Sequence, residues 1–343
     1  ANASLPGTFF YSPAKKKGRR KMKRTKWIAI AIIAIILLTA AGCGAKKAHP
    51  VIGVVQLAEH IALDQSFEGF QKALEDHDML DKLEIDYQNA QGDINNLSTI
   101  ADRFVSRKVG MILAIASDSA QSVANKTDEI PILGTAITSY TVAGLVESDE
   151  HPGGNVTGTS DMNPVAAQIA LIKELLPEAE VIGLVYNSGE DNSVLQIKIA
   201  KEAIEDLGLE WREITVTNTN DVPQAVQSIV TKCDALYIPT DNTMSSAMAQ
   251  VHGVTSESKT PTICGESAQV LQGGLVSMGI NYFDLGYKTG IMALEVLKGK
   301  MPSELSIQYA DKSDEVVING FVAEEIGFSI PDKFQDAVIW PED

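Results

Sequence analysis

The sequence predicts an α/β protein of two domains that share one topology, each built on a parallel sheet. Short β-branched runs alternate with longer amphipathic patterns, the signature of parallel βαβ units. The runs of the first half recur in the second half in the same order. About 300 residues follow the N-terminal leader, more than a single core usually serves.

The expected strands of the first half are Val51–Val55, Leu83–Tyr87, Met111–Ile115 and Ile132–Leu133. Those of the second are Val181–Tyr186, Trp211–Val216, Ala235–Ile238 and Thr262–Cys264. Leu63, Phe67, Phe70 and Leu74 share one helical face, and so do Val165, Ile169, Ile172 and Leu176. Asn163-Pro164 places a capping residue before a proline, and Asp221-Val-Pro-Gln224 reads as a capping box. Val51-Ile-Gly-Val-Val answers Val181-Ile-Gly-Leu-Val, Ala114–Asp118 answers Tyr237–Asp241, and Pro131–Thr135 answers Pro261–Gly265. The Gly/Ser/Thr-rich stretch Asn155–Asp161 reads as a hinge. Beyond Leu275–Ile280 lie a helix pattern, Asp284 to Leu297, and a last strand and helix, Glu315 to Asp336, so the chain is expected to recross between domains.

The N-terminal segment has a separate character. Nine Lys/Arg lie between Lys15 and Lys26, and an apolar run from Trp27 to Ala41 ends in small residues before Cys43. That is a charged region, an apolar region and a small-residue cleavage site. The apolar run, about 15 residues, is short of the roughly 20 that a bilayer span needs. Met22 makes a natural start, giving 21 residues before Cys43, and Lys16–Lys21 can be encoded by purine-only codons containing a ribosome-binding sequence; translation is expected to begin there.

No acidic residue precedes Cys43, which leaves 19 Lys/Arg against 45 Asp/Glu and a net charge of −26 after the cysteine. Nucleic acid is excluded as a partner, and the charge disfavours adsorption to anionic surfaces.

Ligands of open parallel sheets sit outside the carboxyl ends of the strands. In the first half those ends carry Gln56-Leu-Ala-Glu59-His60, Ser117-Asp118-Ser119 and Thr135-Ala136-Ile-Thr138-Ser139-Tyr140. In the second they carry Asn187-Ser188-Gly-Glu190, Thr240-Asp241-Asn242-Thr243 and Gly265-Glu266-Ser267. Hydroxyls and helix-terminal N–H groups hold a carboxylate, and fixed acids hold an ammonium, so the mixture suits a zwitterion. A phosphate is disfavoured, because there is no Gly-rich phosphate loop and no Lys or Arg at these ends. The ordinary roles of such residues are caps, turns and solvated acids.

Gln56-Leu-Ala-Glu59-His60-Ile-Ala-Leu-Asp64, Asn155-Val-Thr-Gly-Thr-Ser-Asp161-Met162, Leu184-Val-Tyr-Asn-Ser188, Ile238-Pro-Thr-Asp-Asn242 and Leu285-Gly-Tyr-Lys-Thr-Gly290 resemble the substrate-binding lipoproteins of ABC importers in the tryptophan/aromatic-amino-acid-binding group. The resemblance covers nearly everything after Pro50. It implies two Rossmann-like domains joined by three crossovers, the type I periplasmic-binding-protein fold, with a ligand closed between them. The implied lobes are 51–158 with 281–303 and 159–280 with 304–343, after a removed leader and signal (1–42) and a lipidated linker (43–50). Closure is expected about Gly158–Asp161, Met278–Ile280 and Ser303–Ser306.

The implied ligand is an amino acid, expected to be aromatic, bound by Gln56, Glu59, Ser117, Thr135, Ala136, Asn187, Ser188, Asp241, Asn242 and Glu266. Ser117 and Thr135 are expected to meet its carboxylate, and Asp241 and Glu266 its ammonium, with Asn187 bridging and Glu59 as the alternative acid. The small residues before Cys43 resemble a lipobox, implying a lipid anchor on the outer face of the bacterial cell membrane, and the other implied partner is the importer's permease. No cofactor and no metal are implied. The chain departs from many members at Ile61, where they carry proline, and near Ser267.

Three other readings compete. Gly265-Glu-Ser267-Ala-Gln269 resembles a nucleophile elbow without its final glycine, and hydrolases with that elbow place their histidine after the serine, whereas the last histidine here is His252. A metal receptor would cluster its histidines, which here are scattered. A sugar or nucleoside receptor uses the same fold but stacks rings on several aromatics, and the strand ends offer mainly Tyr140, Tyr186 and Tyr282. Cys233 and Cys264, at opposite ends of neighbouring strands, are expected to stay unpaired.

Overall fold

The computed structural model describes residues 50–310 and 315–341. The expected signal peptide, Met22, Cys43 and the linker as far as His49 lie outside the described residues. The strands are β1 (Val51–Gln56), β2 (Glu84–Asn89), β3 (Met111–Ile115), β4 (Ile132–Ile137), β5 (Val156–Ser160), β6 (Val181–Asn187), β7 (Glu210–Val216), β8 (Ala235–Ile238), β9 (Thr262–Cys264), β10 (Val276–Met278), β11 (Gln308–Tyr309), β12 (Val316–Asn319) and β13 (Val338–Ile339). The helices are α1 (Ile61–Asp76), α2 (Ile94–Arg107), α3 (Ser117–Ala124), α4 (Val165–Leu175), α5 (Asp191–Asp206), α6 (Val222–Ile229), α7 (Asn242–Ser246), α8 (Met248–Ser258), α9 (Ser267–Leu271), α10 (Tyr282–Leu297) and α11 (Gly320–Ile326).

These elements form two sheets. The first runs β11-β5-β4-β3-β1-β2, with every pair parallel. The second runs β13-β12-β10-β9-β8-β6-β7 and is parallel except where β12 meets β10. The order 2-1-3-4-5 of the first sheet therefore repeats as 7-6-8-9-10 in the second, the common topology that the repeated sequence runs imply. Strands buried on both faces read as continuous apolar runs. Met111–Ile115 is such a run and is buried throughout.

The stretch Asn155–Asp161 departs from its reading as a hinge. Its residues 156–160 form β5, buried from end to end. Small residues are needed there for packing. A Cβ on Gly158 would lie 2.0 Å from the Gly134 carbonyl oxygen and 2.4 Å from the Tyr140 hydroxyl, and its φ of +151° disfavours other residues. The first crossover is thus the short segment Asp161–Pro164, beyond the expected boundary at 158.

The third crossover also moves. Ser303–Ser306 stays with the first lobe, where the Leu305 carbonyl accepts from Thr157 Oγ1 at 2.6 Å and β11 pairs with β5. The chain joins the second sheet only at Val316. Between β10 and α10 lies the connecting segment 279–281, the second crossover. Neither expected cap forms. Asp221 accepts from Thr217 and Asn218. Asn163 donates to the Asp161 carbonyl and to Thr240 Oγ1. Cys233 and Cys264 are both free, the first with its thiol against the Ile229 carbonyl.

After the second crossover α10 returns to the first lobe and packs backbone to backbone on α1. A Cβ on Gly69 would lie 1.9 Å from the Phe283 carbonyl oxygen, and one on Gly286 would lie 1.9 Å from that of Ser66. Overpacking typically costs about 1–3 kcal/mol. Because the obstructing atoms are backbone, Gly286→Ala is expected to cost about 3 kcal/mol, measured by denaturant unfolding; a loss below about 1 kcal/mol would contradict this packing.

Candidate functional site

Doubly wound sheets bind ligands at the switch point, where neighbouring strands send their connections to opposite faces. Here that point lies between β1 and β3 in one lobe and between β6 and β8 in the other. The loops after these four strands face each other across the cleft. Together with the ends of β4, β5 and β9 and the start of α10 they enclose an inner chamber of about 10 Å³ and a mouth of about 570 Å³. Between the two, His60 Nε2 at the start of α1 donates to Asn242 Oδ1 on the other lobe at 3.2 Å. Farther out, Gln121 Nε2 donates to Asp191 Oδ2 at 3.2 Å. The lobes are therefore closed on one another. The inner chamber has room for about one water-sized group, so an amino acid can enter only when the lobes open.

The chamber wall is acidic. Asp161, Asp241 and Glu266 line it, and all three are buried. Glu59, Asp118 and Glu190 line the mouth. Neither space is lined by a Lys or Arg among the described residues.

The acids differ in what they hold. Asp241 Oδ1 accepts the Met244 N–H at 2.8 Å, capping α7, and Oδ2 accepts the Asn187 N–H at 2.7 Å. Glu190 accepts the N–H groups of Asn242 and Thr243 together with Asn242 Nδ2 and Thr243 Oγ1, at 2.7–3.0 Å. Glu266 accepts from Ser245 Oγ at 2.7 Å. Asp161 Oδ2 accepts from the Tyr282 hydroxyl at 2.9 Å, but its buried Oδ1 has no partner.

The expected site residues separate into three groups. Ala136, Asp241, Asn242 and Glu266 line the inner chamber, and Glu59, Asn187, Ser188 and Asn242 line the mouth. Asn187 is tied to Thr243 Oγ1 at 2.8 Å. Gln56, Ser117 and Thr135 line neither space. Gln56 donates to the Ala58 carbonyl and to Asp64, Thr135 Oγ1 accepts from Thr159 Oγ1 at 3.3 Å, and Ser117 is buried as the first residue of α3. A register shift in β4, with Ala136 at φ +54°, presents Ala136 and Thr138 to the chamber in place of Thr135.

Sequence reasoning did not select Asp161, Thr138, Tyr282, Asp118 or Glu190. Thr138, Asp118 and Glu190 stand in the strand-end loops and were within reach of the same rule. Asp161 directly follows β5, a strand that its small residues disguised.

Burial, with Glu190 and Asp191 opposite, pushes the Asp118 carboxyl up to about 7. Burial pushes Asp161 up to about 6, against the hydrogen bond from Tyr282. An acid with a higher pKa in the folded protein than in the unfolded chain binds its proton more tightly when folded. Stability from these groups is therefore present at low pH and is lost as pH rises from about 4 to about 7. Melting of the ligand-free protein should occur at falling temperature between pH 5 and pH 8, and Asp118→Asn should flatten the upper part of that slope. A midpoint rising across the range would contradict it.

Residues 51–337 match the family model of ABC transporter substrate binding proteins. A tyrosine-binding protein of Clostridioides difficile is 43% identical over 275 residues, covering 80% of this chain and 79% of that protein. The structure of an ABC domain in complex with L-Trp from Streptococcus pneumonia superposes with a TM-score of 0.82 at 35% identity, over 85% of this chain and all of the other. The ligand-free, open structure of a substrate binding protein with adhesive properties from Clostridium difficile gives 0.66 at 39% identity, over 85% and 100%. The better superposition is on the complex, although identity to the open protein is higher, which agrees with the closed cleft. With nearly the whole of its described length matched, and with a ligand cleft between two lobes of one topology, the chain belongs to the ABC transporter substrate-binding protein family and has its type I periplasmic-binding fold.

Proposed function

We propose that this protein captures an aromatic amino acid, tyrosine or tryptophan, outside the cell and presents it to the permease of an ABC importer. The observation that carries the reading is an interlobe chamber walled by buried carboxylates, with one imidazole, His60, and no Lys or Arg among the described residues that line it. A buried anion is costly unless a cation pairs with it, and an amino acid brings an ammonium. The ligands named for the similar proteins, tyrosine and L-Trp, agree with this. The ligand carboxylate falls to the hydroxyls of the strand ends and to the first N–H groups of α1, which no side chain caps. The protein acts as a receptor rather than a catalyst.

Closure follows from charge. Acids from both lobes approach one another when the cleft shuts, and the ammonium lowers the energy of that arrangement more than of the open one, so ligand shifts the population towards closure. The anchor is the lipid on Cys43, since an acyl pair holds a protein where one chain does not. Cys43→Ser should release the protein from the membrane fraction, scored by immunoblot after fractionation.

Thermal-shift measurements on the domain from Pro50 onward, against the twenty amino acids, nucleosides and common sugars, test the ligand class. Tyrosine or tryptophan at about 100 times its dissociation constant should add about 2.7 kcal/mol of stability. A response to sugars or nucleosides alone would replace this reading with a receptor for those.

A further inference from the structure

We propose that Asp161, the first residue of the first crossover, is the specificity-determining residue that pairs with the ligand's ammonium; this rests on the amino-acid reading above. Of the acids around the cleft, Asp161 has an uncommitted oxygen deep inside. It is 2% exposed, lines the inner chamber, and its Oδ1 has no partner while Oδ2 holds the Tyr282 hydroxyl. Both oxygens of Asp241 accept backbone N–H groups that hold α7 and β6 in place. Glu190 is saturated by four donors of α7. Glu266 holds Ser245. Glu59 is exposed at the mouth. A carboxylate already spent on the fold has little left for a ligand, whereas a buried free oxygen is a standing cost that an incoming N–H group removes. The chamber, about 10 Å³, suits an ammonium rather than a ring.

The position of Asp161 gives the contact a second consequence. Asp161 opens the first crossover, its N–H donating to the Ile137 carbonyl at 3.3 Å, and Tyr282 follows the second crossover as the first residue of α10. Their hydrogen bond ties two of the three connections between the lobes. Glu266, from the second lobe, lines the same chamber as Tyr282. The ligand's charge is thus read at the axis about which the lobes close.

Titration calorimetry of wild type, Asp161→Asn and Glu266→Gln with L-tyrosine and with its deaminated analogue, 3-(4-hydroxyphenyl)propionate, tests the assignment. Asp161→Asn should weaken L-tyrosine at least 100-fold and leave the analogue within about threefold, so discrimination between the two collapses; Glu266→Gln should keep it. Loss of both ligands in equal measure, or retained discrimination in Asp161→Asn, overturns the proposal. Wild-type protein that binds no amino acid overturns the functional reading itself, and this assignment with it. Should Asp161→Asn not fold, a crystal structure of wild type with L-tyrosine decides. An ammonium nitrogen within about 3.2 Å of Asp161 Oδ1 supports the proposal, and a contact to another acid in its place overturns it.

Discussion

The contact on which the architecture depends is the glycine-lined meeting of α1 and α10. A chain that crosses between two lobes three times must be captured each time it returns, and α10 is captured by touching α1 through backbone at Gly69 and Gly286. Thr289 of α10 also bonds Thr159 of β5 at 2.7 Å, so the helix is held on two sides. Since Tyr282 starts this helix, its placement brings the Tyr282 hydroxyl to Asp161. A packing constraint between two helices of 16 residues each thereby sets one wall of the ligand chamber.

Most of the cleft's polar groups serve the fold. Glu190 and Asp241 fasten the short helix α7 to the end of β6, and Gln196 and Asn192 hold the Thr240 carbonyl. These bonds fix the loop after β8 above the apolar cluster that holds Ile238 and Met244, and networks of this kind are rigid only when every member is satisfied. The members left partly unsatisfied are therefore informative. Asp161 Oδ1 and the His60 ring Nδ1 face the inner chamber without partners.

Closure has opposing terms. His60 with Asn242 and Gln121 with Asp191 favour it, each as a single hydrogen bond worth about 1 kcal/mol net. The approach of acids from both lobes opposes it, with burial raising the carboxyl pKa values of Asp118 and Asp161. Two modest bonds against several buried charges leave a balance that one added cation can tip, which is the behaviour a capture protein requires.

Alternating apolar runs and amphipathic stretches determined the strands and the two-lobe α/β class, because buried parallel strands leave their pattern in consecutive residues. Repetition of those runs determined the common topology, and the strand-end rule reached Asn187, Asp241, Asn242 and Glu266. Other matters were decided by tertiary structure alone. Asn155–Asp161 has the composition of a hinge, yet Tyr140 and Gly134 demand those small residues inside a buried strand. Ser303–Ser306 looked like a crossover because β11, with two residues, is too short to show a period. Whether a given acid is spent on the fold or left free also depends on partners distant in the chain. Asp241 is answered by Asn187, 54 residues before it, and Asp161 by Tyr282, 121 residues after it. Local sequence records the presence of a carboxylate; only the folded chain decides which of its oxygens remains unpaired.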